Sequence, residues 1–104
     1  MRKQKLKIIE SYIYSKTLFL LCKNTEIPQN NSIIKQFLIK TGKIAEKLHY
    51  LCVKKINKLK LNNTSFLLLK QQLENINYKN ETLINWSRIN NMLKDYDYYF
   101  SIIK

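Results

Sequence analysis

Five lysines recur on one side of residues 32–60, a stretch that we predict to be one long helix. They follow one another at steps of three, four, seven and four residues, at Lys40, Lys43, Lys47, Lys54 and Lys58. Residues at such steps share one face of a helix. Lysine ammonium groups on one face contact phosphates, with an affinity that depends on salt and not on base sequence. The pattern therefore indicates binding of a polyanion.

The opposite side of the same predicted helix is apolar. Its residues recur at steps of three and four, at Ile34, Leu38, Thr41, Ala45, Leu48, Cys52, Ile56 and Leu59. Such a stripe predicts burial in a core, and Asn31 or Ser32 is expected to cap the helix. Gly42 lies in a patch of small residues on this helix. The patch favours either ordinary tight helix packing or the close approach of a second subunit's backbone.

Other cationic residues extend the predicted binding surface. Arg2, Lys3 and Lys5 lie near the start of the chain, and Arg88 lies in the last predicted helix. Arg2 and Arg88 are the only arginines, and arginine is the side chain that most often reads bases through bidentate hydrogen bonds. Contact with the nucleic-acid backbone is therefore favoured over sequence-specific recognition. We predict that these four residues join the five lysines in binding RNA or DNA.

The chain lacks the groups of residues on which catalysis depends. His49 is its only histidine, and we expect it to be a satisfied residue at the edge of the core. Cys22 and Cys52 lack metal-ligand spacing, and we predict two buried free thiols. A single glycine excludes a glycine-rich phosphate loop, and the scattered carboxylates form no pairs at helical spacing. We therefore predict a protein that is not an enzyme and that needs no metal and no cofactor.

The composition predicts one all-α domain spanning residues 1–104. Hydrophobic residues make up 45% of the chain, while one glycine and one proline are too few turn residues for an all-β fold. The 19 basic and 7 acidic residues give a net charge of +12. That charge indicates nucleic acid first, an anionic membrane surface second, and third a lysine-rich composition without a polyanionic partner. The apolar run after the basic N-terminus is interrupted by Glu10 and Lys16, so we expect no signal peptide, no membrane span and a cytoplasmic protein.

Breaks in the apolar pattern divide the chain into four predicted helices. They cover about residues 3–23, 32–60, 65–77 and 81–103. The short connections between them predict an up-down-up-down four-helix bundle. The first helix is apolar over much of its circumference, which favours self-association because one small bundle cannot bury so much surface. One apolar stripe contains Leu6, Ile9, Ile13, Lys16 or Thr17, and Leu20, and further residues widen it: Ile8, Tyr12, Tyr14, Leu18, Phe19 and Leu21.

This bundle predicts two tertiary neighbours. A hairpin that turns near Pro28 would place Cys22 opposite about position 34, far from Cys52. The first and last helices would share an aromatic end, which contains Tyr12, Tyr14, Tyr96, Tyr98, Tyr99 and Phe100. Such an end is more typical of packing than of base stacking.

Several segments resemble a known family in their apolar spacing. A Leu-rich run at 67–69 is followed by Leu73, and a short turn with an apolar residue spans 76–80. The last predicted helix then carries Trp86-Ser87, Arg88, Ile89 and Met92-Leu93. Upstream, the turn IPQNN at 27–31 is similar to the family's turn between its first two helices. These features resemble the accessory variability determinants, small four-helix-bundle proteins that accompany the reverse transcriptase of diversity-generating retroelements.

The resemblance implies a homopentameric barrel of four-helix bundles with a basic surface. It also implies a protein that binds nucleic acid and a reverse transcriptase, and that supports mutagenic complementary-DNA synthesis without chemistry of its own. One alternative stays open: a helical, nucleic-acid-binding scaffold subunit of another ribonucleoprotein, such as a CRISPR-type effector complex. In that case the chain would stack in an open filament.

Overall fold

The structure, a computed structural model, describes residues 2–25, 31–60, 67–68, 71 and 82–104. Over these ranges the chain is all-α and contains no strand, which confirms the all-α part of the predicted fold class. The helices are α1 (Arg2–Asn24), α2 (Ser32–Lys58), α3 (Thr82–Leu93) and α4 (Tyr96–Ile103). Within the same ranges, no helix combines the length and the apolar character that a membrane crossing requires. The helix predicted at about 65–77 lies outside the described residues, apart from 67, 68 and 71.

Helices α1 and α2 pack against each other as an antiparallel pair. Ser15 lies against Cys52, with 4.0 Å between Oγ and Sγ. Further along α1, Cys22 faces Gly42: a Cβ added to this glycine would lie 3.6 Å from the Cβ of Cys22. The residue number therefore falls along α2 as it rises along α1.

The predicted register of this pair is wrong. Cys22 lies opposite Gly42 and not opposite position 34, a shift of about two helical turns. The first turns of α2 consequently project beyond the end of α1. There Phe37 packs against Trp86 of α3, with ring centroids 4.9 Å apart. The shifted register brings the small residues Ser15 and Gly42 to the contact between the two helices. The contact between the partly buried Phe37 and Trp86 rings then stabilises a helix end that the hairpin alone would leave exposed.

Helix α2 has the buried face that its apolar spacing predicts. Its buried residues are Leu38, Thr41, Ala45, Leu48, Cys52 and Ile56. The side-chain oxygen of Asn31 caps the helix by accepting a hydrogen bond from the N–H of Ile34 at 3.1 Å. Leu59, which was predicted on the stripe, is 40% exposed. The helix ends at Lys58, before the predicted boundary, and Lys60 then takes a left-handed φ of 54° that no helix can continue.

Helix α1 meets α2 through small polar residues that the apolar pattern did not mark. Ser11 and Ser15 are fully buried. Their hydroxyls donate hydrogen bonds of 3.0 Å to the carbonyls of Lys7 and Tyr12 in the same helix. Because each hydroxyl has an acceptor, burial carries no unsatisfied donor and the two helices can approach closely.

The first apolar stripe predicted for α1 is only partly buried. Leu6 is 53% exposed and Leu20 is partly buried. Ile8 and Leu18, which were predicted to widen that stripe, are fully buried together with the two serines. Because α1 is apolar on more than one side, its apolar spacing did not show which side packs against α2.

The helix predicted at about 81–103 is interrupted at residues 94–95. The N–H of Asp95 donates to the carbonyl of Met92 at 3.0 Å, in a tighter turn than an α-helix makes. The Tyr14 hydroxyl of α1 donates to the same carbonyl at 2.5 Å. This tertiary bond stabilises the break, and aspartate favours helix ends over helix interiors. Tyr14 also stacks on Tyr99 with ring centroids 4.2 Å apart, which confirms the shared aromatic end for this pair.

Candidate nucleic-acid interface

The five predicted lysines of α2 are all exposed, on the side of the helix opposite its buried residues. We call this set the lysine face; it consists of Lys40, Lys43, Lys47, Lys54 and Lys58. At about 1.5 Å rise per residue, it extends about 27 Å along the helix. Within the described part of the chain, no ion pair joins these lysines to an acidic side chain. Exposed ammonium groups of one sign along one helix face create a positive surface potential.

An exposed tyrosine lies within the lysine face. Tyr50 is 58% exposed, and the Nζ atom of Lys54 lies 5.0 Å from the centroid of its ring, in a cation–π contact. Toward the start of the helix, a cleft of about 430 Å³ adjoins this ring, lined by Tyr50 with Lys43, Glu46 and Lys47. An aromatic ring, three ammonium groups and an open cleft thus occur within about three helical turns.

The other predicted cations, Arg2, Lys3, Lys5 and Arg88, are not on the lysine face of α2. Arg2 and Lys3 belong to the first turn of α1, and their side chains lie outside the described residues. Lys5 is partly buried on α1. The antiparallel pairing places this end of α1 beside the end of α2 that carries Lys58. Arg88 is exposed on α3 and lines a separate cleft.

The cleft at Arg88 has a volume of about 460 Å³ and is formed by α1, α3 and α4. Its described lining residues are Glu10, Ile13, Tyr14, Thr17, Arg88, Asn91, Met92 and Tyr99, and α2 contributes none of them. Burial, with the nearby charge of Asp95 as the second cause, raises the pKa of Tyr14. Its hydroxyl therefore stays protonated at neutral pH and donates to the carbonyl of Met92. Because α2 contributes no described residue to the lining of this cleft, the structure does not bring Arg88 together with the five lysines.

His49 is half-buried at the edge of the core, where it was predicted. Its ring centroid lies 4.8 Å from that of Tyr12. Its Nδ1 atom is buried without a hydrogen-bond partner, so the expectation of a satisfied histidine is wrong at this atom. The packing of α1 on α2 places the Tyr12 ring beside the imidazole and gives Nδ1 no hydrogen-bond partner. Burial lowers the pKa of His49 to about 4, with the charge of Lys16 as the second cause, so the imidazole adds no charge at pH 7.

Cys22 and Cys52 are buried free thiols, as predicted. Burial raises the pKa of each thiol to about 11. Both are protonated at neutral pH, whereas the thiolate is the form that acts as nucleophile and metal ligand. Among the residues that the structure describes, no group of three His, Cys, Asp or Glu side chains could hold a metal ion.

The predicted site residues did not include Tyr50 or Glu46. A signal for both was present, since Tyr50 stands four residues from each of Glu46 and Lys54, and residues at that spacing are neighbours on a helix. Tyr50 is recognisable from the sequence as lying in the gap of the lysine stripe, but the site residues were chosen by charge alone.

Comparisons of the chain with protein-family models, with curated proteins and with solved structures found no match.

Proposed function

We propose that this protein is a non-catalytic accessory protein that binds nucleic acid through the lysine face of α2. The observation that carries the proposal is that all five lysines are exposed opposite the buried stripe, along about 27 Å of one helix. Lysine is a compact point charge without the planar fork of arginine, so it contacts phosphates but discriminates poorly among bases. Binding is therefore expected to depend steeply on salt and weakly on base sequence.

The enzyme partner that we propose is a reverse transcriptase of a diversity-generating retroelement. Support comes from the resemblance carried by residues 27–31 and 86–93, together with the basic helical surface. In this role the protein supports mutagenic complementary-DNA synthesis by holding RNA beside the polymerase, while the polymerase performs all the chemistry.

We further propose that the chain forms an up-down-up-down four-helix bundle and that copies of it assemble into a homopentamer. Large apolar side chains that remain exposed support contact between subunits. Leu6 on α1 is 53% exposed and Ile33 on α2 is 81% exposed. Burying such side chains stabilises an assembly by about 25 cal/mol for each Å² of apolar surface removed from water.

Nucleic-acid binding is tested by charge removal at matched positions. One variant replaces Lys40, Lys43, Lys47 and Lys54 with Gln. A control variant replaces four exposed lysines elsewhere, Lys23, Lys35, Lys94 and Lys104, and so loses the same charge from the net +12. In fluorescence anisotropy with a labelled single-stranded RNA, we expect the first variant to bind at least tenfold more weakly than the control variant. Equal affinities for the two variants would remove the lysine face from the account.

Assembly and partner are tested separately from RNA binding. Size-exclusion chromatography with light scattering should give a closed oligomer of fixed mass at micromolar concentration. A monomer would contradict the proposed assembly, and a mass that grows with concentration would favour the open scaffold of another ribonucleoprotein. The neighbouring genes should encode a reverse transcriptase beside a pair of near-identical repeats. Copurification of that enzyme with this protein would support the partner, and its failure to copurify would contradict it.

A further inference from the structure

We propose that Tyr50 is a stacking platform for an unpaired base, so that the lysine face binds single-stranded nucleic acid in preference to a duplex. This inference rests on the proposed function, because it assigns a substrate class to the same surface. The lysines alone predict phosphate contact without a preference between single strands and duplexes. Tyr50 adds an exposed aromatic ring, which favours single strands because it can stack on an unpaired base.

The first observation is the position and exposure of the ring. Tyr50 is 58% exposed on the lysine face, where its ring removes little apolar surface from water. Lys47 lies one turn before it and Lys54 one turn after it, so both flank the ring along the helix axis. Single-strand-binding surfaces share this arrangement, in which basic groups follow the backbone and aromatic rings accept the bases.

The second observation is that one side of the Tyr50 ring is occupied and another is open. The ammonium group of Lys54, four residues later in the helix, lies 5.0 Å from the ring centroid. The cleft of about 430 Å³ lies toward the start of the helix, since its other lining residues precede Tyr50 by three, four and seven positions. A base can therefore stack on the tyrosine from the cleft while Lys54 stays over the ring.

The third observation is the charge distribution around the cleft. Glu46 lines it between Lys43 and Lys47. A carboxylate repels phosphate, but it accepts hydrogen bonds from the amino groups of bases, as glutamate does with cytosine. The cleft is consequently suited to a base, and the two lysines on either side of Glu46 are suited to the adjoining phosphates.

Duplex nucleic acid cannot use this platform. Its bases are paired and stacked on one another, so a side chain can stack only on a base that is splayed out. A duplex would therefore bind through the lysines alone. The two forms of nucleic acid should respond differently to loss of the tyrosine ring.

The test measures anisotropy of a labelled single-stranded RNA and of its blunt duplex, with Tyr50→Ala, Tyr50→Phe and Tyr98→Ala variants. Tyr98 is the matched control, because it is 52% exposed on α4 and belongs to neither the lysine face nor its cleft. We expect Tyr50→Ala to weaken single-strand binding by roughly five- to a hundredfold, the loss that removing one stacking partner gives. We expect Tyr50→Phe and Tyr98→Ala to stay within about twofold of wild type, because phenylalanine keeps the aromatic ring and Tyr98 lies off the site.

Two further readouts make the outcome decisive. Duplex affinity and the salt slope of single-strand binding should be unchanged in Tyr50→Ala, because no charge is removed. Equal loss for single strand and duplex, or no loss for either, would overturn the stacking inference while leaving the lysine face intact. If the wild-type protein bound neither nucleic acid, the proposed function would fail together with the inference. Circular dichroism melting of each variant separates a binding defect from unfolding.

Discussion

Protonation of His49 should destabilise the folded protein as the pH falls below neutrality. Burial holds the pKa of this histidine at about 4 in the folded state, against an ordinary value of 6.5. Between these two values the unfolded chain binds a proton that the folded chain does not, so the free energy of unfolding rises with pH. The His49 contribution is fully present above about pH 6.5 and is lost as the pH falls through about 4.

The size of this loss of stability follows from the difference between the pKa values of His49 in the folded and unfolded states. At about 1.4 kcal/mol per pKa unit, the full difference corresponds to about 3 kcal/mol. Because His49 keeps part of its surface in water, solvent screening reduces the effect, and we expect a loss of about 2 kcal/mol. Burial of the ring and the positive charge of Lys16 both act against the protonated form.

Urea denaturation between pH 4 and pH 8 measures this loss in wild type and in His49→Phe. Phenylalanine keeps a ring against Tyr12 and replaces the unpartnered nitrogen with a group that needs no hydrogen bond. The carboxyl groups titrate in both proteins, so the difference between the two profiles of unfolding free energy against pH gives the contribution of His49 alone. We expect the wild type to lose about 2 kcal/mol relative to the variant across this window. Lys16→Gln should reduce the loss, because it removes the charge that lowers the pKa of His49. Parallel profiles for wild type and His49→Phe would refute the reasoning.

Three further predictions concern the helix packing. Gly42→Ala should stabilise the fold by about 1 kcal/mol, because alanine favours the helix. The new Cβ would lie 3.6 Å from the Cβ of Cys22, an ordinary contact distance. Urea denaturation measures the change, and destabilisation would show that α1 and α2 are closer than described. Tyr14→Phe should cost about 1 kcal/mol, measured in the same way, because it removes the 2.5 Å hydrogen bond to the carbonyl of Met92; unchanged stability would mean that this bond adds nothing net. Cys22 and Cys52 should react with a thiol reagent slowly in the folded protein and rapidly in urea, as their burial requires; rapid reaction without urea would contradict that burial.

The two faces of α2 could be predicted from the sequence because both depend only on helical periodicity. The buried residues recur at steps of three and four, and the exposed lysines occupy the opposite side. The cap at Asn31 was likewise predictable, since its signal lies within four residues of the helix start.

The remaining features depend on contacts between helices, which periodicity does not encode. The register of α1 on α2 follows from small residues at their interface, among them the buried Ser15 and the partly buried Gly42, which give no apolar signal. The break between α3 and α4 depends on a bond from Tyr14 to Met92, 78 residues apart in the chain. The position of Arg88 on another cleft follows from the same packing. The sequence could mark it as a cation but not as a neighbour of the lysines.

The salt dependence of RNA binding tests the central claim most directly, because it counts the phosphates that the lysine face contacts. For single strands, log Kobs falls with log salt by about 0.7 for each phosphate neutralised. Replacing Lys40, Lys43, Lys47 and Lys54 with Gln should therefore reduce the magnitude of the slope by about 3. The control replacement of Lys23, Lys35, Lys94 and Lys104 should change it much less. A slope that stays at the wild-type value in the first variant, or that falls equally in both, would contradict the assignment of α2 as the nucleic-acid interface.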